Sequence, residues 1–116
     1  MTKASRILDF YKNVDFDGEL PDNIHLLNPY KDHPEIRDSV YQFYNKYYND
    51  EKPRHLILGI NPGRLGAGAT GIPFTDTKRL QDICDIQVNG KTTHEPSSVF
   101  VYEMIDAFGG PELFYQ

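Results

Sequence analysis

Arg54-His55-Leu56-Ile57-Leu58-Gly59-Ile60-Asn61-Pro62-Gly63-Arg64 is the stretch that decides how this chain is read. Residues 54 to 60 form a short, mostly apolar run between a polar connection and a turn signal, the pattern of a strand buried on both faces. A sharp turn must follow. Pro62 fixes its own φ and pushes Asn61 towards extended geometry, while Gly63 tolerates backbone angles that other residues avoid. Asn61 is therefore expected at the carboxyl end of a strand, where open α/β sheets bind ligands.

Upstream, Ile7, Leu8, Tyr11 and Val14 share one face of a first helix. Ile36, Val40, Phe43, Tyr44 and Tyr47 do the same on a longer helix opened by Pro34-Glu35. At helical spacing these aromatics read as a packing face and not as base-stacking groups. Asp76 is placed to cap a third helix carrying Leu80, Ile83 and Cys84, and Asn89-Gly90 marks a turn. Ser97 or Ser98 is expected to cap a fourth, burying Val101, Met104, Ile105 and Phe108 and ending at Gly109-Gly110-Pro111. Ile24 to Leu27 is a weaker strand candidate, and Glu112 to Gln116 begins an apolar run that reads as the approach to another strand. Helix, strand, loop and helix in this order imply an α/β fold.

The 116 residues suffice for one modest globular unit, and 39% hydrophobic with 25% charged residues gives no sign of disorder. The start, Met1-Thr2-Lys3-Ala4-Ser5-Arg6, lacks the apolar core of a signal peptide, and no run approaches a membrane span. A cytoplasmic protein without membrane association is the expectation. Cys84 is the only cysteine, which excludes an internal disulfide and a multi-cysteine iron-sulfur site. His25, His33, His55 and His94 have no metal-ligand spacing, so no metal and no cofactor are expected. The net charge of -5 does not favour nucleic acid as a partner, although Arg64, Lys78 and Arg79 bracket the loop.

Gly59-Ile60-Asn61-Pro62-Gly63, with Thr70-Gly71-Ile72-Pro73-Phe74 just beyond, resembles the first motif of the uracil-DNA glycosylase superfamily. The similarity is greatest to bacterial members of the single-strand-selective monofunctional branch, and it extends to Leu27-Asn28-Pro29-Tyr30 and to Ser97-Ser98-Val99-Phe100-Val101-Tyr102-Glu103. The resemblance implies a layered helix/parallel-sheet/helix fold, of which residues 1–116 would be the N-terminal half of a single domain. A second, His-bearing motif of the family is not found in these residues, so the chain by itself is expected to have little or no activity.

The activity implied is base-excision repair: hydrolysis of the N-glycosidic bond of uracil, and of 5-hydroxymethyluracil, in DNA. Uracil departs as a stabilised anion from an oxocarbenium-like sugar, so positioning and electrostatics suffice without a strong nucleophile. By resemblance, the neutral Asn61 orients a water towards the anomeric carbon, and Phe74 stacks on the flipped base, a contact worth roughly 1–3 kcal/mol. Gly59, Ile60, Pro62, Gly63 and Gly71 complete the substrate-binding set. Gly63 stands where another branch carries Tyr, which implies room for substituents on C5 of the base. Arg64, Gly66, Ala67 and Gly68 would meet the DNA backbone.

Two other readings compete. Gly66-Ala67-Gly68-Ala69-Thr70-Gly71 matches the spacing of a dinucleotide-binding fingerprint, although Asn61 to Leu65 separate it from the strand and Pro73 stands where its helix should run. A non-catalytic fragment is the second. Protein partners are not indicated.

Overall fold

The computed structural model describes residues 1–116 and contains seven helices and no strand. They are α1 (Lys3–Asn13), α2 (Pro29–Asp32), α3 (Pro34–Tyr47), α4 (Ala67–Thr70), α5 (Thr77–Asp82), α6 (Pro96–Phe108) and α7 (Pro111–Phe114). No helix is long and apolar enough to cross a membrane.

Helix α3 is the centre of the molecule, with α1, α2 and α4 packed on it. Pro34 opens it at the first turn, where a missing N–H costs nothing, and its stripe of Ile36, Val40, Phe43, Tyr44 and Tyr47 is buried as the spacing predicts. Helix α1 starts at Thr2, whose hydroxyl accepts from Ser5 N–H, and turns Ala4, Ile7, Leu8 and Tyr11 towards the same core. Val14 lies just past its end and is exposed. The second half of the core comes from Leu80, Cys84, Ile86, Tyr102 and Ile105. Tyr115 joins the halves, with its ring 5.2 Å from Phe43 and 5.1 Å from Tyr47. Burial pushes the Cys84 thiol up, consistent with an inert core position.

The sheet expected around residues 54 to 60 is not formed within these residues. No backbone group of residues 54–62 takes part in a backbone–backbone hydrogen bond, and Leu56, Leu58 and Ile60 are 82%, 81% and 101% exposed. A strand exists only through its neighbours, and this chain supplies none alongside it. Ile24 to Leu27 likewise forms no strand and is exposed. The chain end becomes α7 instead of a strand, because Pro111 fits the first turn of a helix.

Helix α6 also departs from expectation at its start. Pro96 occupies the first turn and Glu95 is the cap residue, so neither Ser97 nor Ser98 caps. Ser98 is buried and its hydroxyl accepts from Asp76 N–H at 3.0 Å. That rotates the buried stripe onto Ser98, Tyr102 and Ile105, leaving Met104 and Phe108 exposed. The helix does stop at Gly109, whose φ of 127° other residues rarely adopt.

Candidate active site

A cleft of about 1450 Å³ runs along the unpaired segment, and it gathers most of the residues singled out in the sequence. Gly59, Ile60, Asn61, Pro62, Gly63, Ala67, Gly71 and Phe74 all line it. The opposite wall is apolar and includes Phe10, Val14, Phe16, Leu26 and Leu27, each exposed. The volume exceeds the roughly 300–1,000 Å³ of small-molecule sites, because nothing covers Leu56, Leu58 and Ile60.

The loop after the segment is held from inside. The Gly63 carbonyl accepts from Gly66 N–H at 3.1 Å and from Gly68 N–H at 2.8 Å, which bends the chain into α4. Gly71 then ends α4 with φ 74°, where an added Cβ would lie 2.7 Å from Val40 Cγ2 on α3. Thr70 locks the next turn: buried, its hydroxyl accepts from Ile72 N–H at 3.1 Å and donates to the Thr75 carbonyl at 2.7 Å. Between these anchors Phe74 adopts φ 58°, a region costly for a bulky side chain and tolerated where the surroundings fix it. The result lays its half-buried ring across Gly59, where a Cβ would meet Cε1 and Cζ at 3.2 Å. Phe74 is thus a wall of the cleft and not a fully buried anchor.

The residues expected to meet DNA are split. Arg64 and Gly68 line a second, smaller cavity of about 450 Å³, and Arg64 is exposed. Gly66 is buried, and with Gly68 its amide is already engaged by the Gly63 carbonyl, so of those three small residues only the Ala67 amide is not bound there. Arg79 is occupied as well: its guanidinium pairs with Asp76 at 3.1 Å. The dinucleotide reading has no counterpart, since α4 is four residues long and Gly71 ends it. No group of three or more His, Cys, Asp or Glu side chains is gathered to hold a metal.

Asp76 and Glu95 are the polar residues that spacing alone did not bring to the site. Asp76 caps α5 as expected, accepting from Arg79 N–H at 2.8 Å, yet its fully buried carboxylate also accepts from Glu95 N–H at 2.8 Å. Thr77 and Thr93 reinforce the same junction, with Thr77 N–H donating to Thr93 Oγ1 at 3.2 Å. Glu95 is thereby fixed over the loop. Its side chain does not cap α6; Cβ atoms added to Gly63 or Gly66 would collide with its Oε1 and Oε2 respectively. Gly63 is small for this carboxylate as much as for the cleft. The contact joins residues about thirty apart and left no trace in local spacing.

No protein-family model matches the chain, and no curated protein does. Among solved structures, it is similar to wild-type SMUG2 of Pedobacter heparinus, with a TM-score of 0.92 and 55% sequence identity over 99% of this chain and 50% of that one. A loop read as a glycosylase motif, set at a cleft within so similar a fold, leads to one family. The chain belongs to the uracil-DNA glycosylase superfamily, with the bacterial proteins that resemble its single-strand-selective monofunctional branch. It spans about half the length of this solved relative.

Proposed function

We propose that the protein of which this chain forms half excises uracil from DNA by hydrolysing the N-glycosidic bond. The observation that carries this reading is the convergence of Asn61, Phe74 and the glycine-lined loop on one cleft. Asn61 orients the attacking water; Phe74, braced on Gly59, is the floor beneath the flipped base. Gly59, Ile60, Pro62, Gly63 and Gly71 shape the pocket, and 5-hydroxymethyluracil is a second substrate. Arg64 and Ala67 carry the contact with the DNA backbone. In the whole protein residues 54 to 60 become a central strand of an α/β sheet, paired by the half absent here.

The test is a full-length protein made by joining residues 1–116 to the remaining half of the Pedobacter heparinus relative. In single-turnover assays on a uracil-containing single strand it is expected to release uracil. Asn61→Ala is expected to lose most of that rate, on the order of 10²-fold, while still binding DNA. A wild-type rate in the variant would remove Asn61 from the mechanism. Residues 1–116 alone are expected to be inactive, and robust cleavage by them would overturn the division of labour between the halves.

A further inference from the structure

We propose that Glu95 supplies the negative charge that stabilises the cationic sugar during base release. The inference rests on the glycosylase reading above and adds to it a group that the neutral Asn61 cannot replace.

Among the residues lining the cleft only Asp15 and Glu95 carry charge, and none is Lys, Arg or His. Asp15 is paired with Lys31 at 2.8 Å. The Glu95 carboxylate makes no ion pair and accepts no hydrogen bond. Its charge is therefore free to face what enters the cleft. Its position is built, because the buried Asp76 holds the Glu95 backbone while Gly63 and Gly66 leave space for its two oxygens.

The order of groups along the loop matches the charges of the reaction. Phe74 lies against Gly59 and Glu95 against Gly63, with Asn61 between them. The bond from the anomeric carbon to the base nitrogen breaks with both electrons leaving on uracil, over Phe74 and away from the carboxylate. Positive charge develops at the sugar, on the side of Asn61 and Glu95. Water then forms the new carbon–oxygen bond, and the proton it releases passes to solvent. Glu95 is not consumed; it lowers the energy of the cation through a charge fixed on the wall of the cleft.

The same joined full-length protein tests this. Glu95→Gln keeps the shape and removes the charge, and is expected to lower the single-turnover rate on the order of 10²-fold, with DNA affinity and melting temperature retained. Glu95→Asp is expected to recover part of the loss. Gly63→Ala, which pushes the carboxylate aside without touching its charge, is expected to reproduce the defect. A Glu95→Gln rate within about twofold of wild type overturns the proposal, as does a loss matched by weaker DNA binding or lower melting temperature. If the unsubstituted protein releases no uracil, the glycosylase reading itself falls.

Discussion

Gly71 and Gly63 show how differently two glycines of one loop are used. At Gly71 the backbone is left-handed and a Cβ would press on Val40 and Ile36 of α3, neither of which can swing away. Gly71→Ala is therefore expected to cost about 1–3 kcal/mol in stability, read as a lower midpoint in denaturant. Full retention of stability would mean that α4 does not dock on α3 as described. At Gly63 the obstacle is the free end of Glu95, so Ala there changes chemistry more than folding. A bulkier Tyr at Gly63 would meet the same carboxylate.

At the level of elements, the junction between α3 and the exposed segment depends on Arg54. Its guanidinium donates to Asp50 Oδ1 at 2.7 Å and to the Tyr47 and Tyr115 carbonyls at 2.9 and 2.7 Å, and lies 4.6 Å over the Tyr48 ring. The pairing holds the Asp50 carboxyl down to about 2 from its usual 3.8. A depressed carboxylate pKa gives stability that is complete above the unfolded value and lost as pH falls through the folded one. Melting temperature should therefore rise between about pH 2 and pH 4 in the wild type. Arg54→Met is expected to lower it by roughly 5 °C at neutral pH and to flatten that rise. An unchanged acid profile would show that the pair contributes nothing in solution.

Helices such as α3 were legible because one amphipathic stripe meets one core, and the pattern is local. The register of α6 was not, because Ser98 answers to Asp76 across the fold and not to its own helix. Residues 54 to 60 carry the composition of a strand, but composition cannot supply the neighbouring chain that a strand needs. That Asn61 and Phe74 line one cleft was foreshadowed by the spacing of a motif; that Glu95 joins them there required the geometry of a distant contact.

For the whole molecule, the core is small, with 21 of 116 residues buried, and unusually rich in phenols. Burial raises Tyr44, Tyr47, Tyr48, Tyr102 and Tyr115 above the ordinary tyrosine value of 10.0. A raised folded pKa gives stability that is present below the unfolded value and lost as pH climbs past it. Stability should hold up to about pH 10 and then fall, with tyrosinate absorbance and loss of helical circular dichroism rising together. Gradual ionisation while the helices persist would show that these rings are accessible to solvent.

The free backbone of residues 54–62 bears also on biogenesis. A ribosome releases α1 to α3 first, and these can settle on one another through local contacts. The stickiest stretch emerges next, with every main-chain donor and acceptor open, and in the proposed sheet it would wait for its pairing strands. Delay in translation beyond this point would prolong the interval in which neighbouring nascent chains can join edge to edge, making the rate of synthesis itself a determinant of yield.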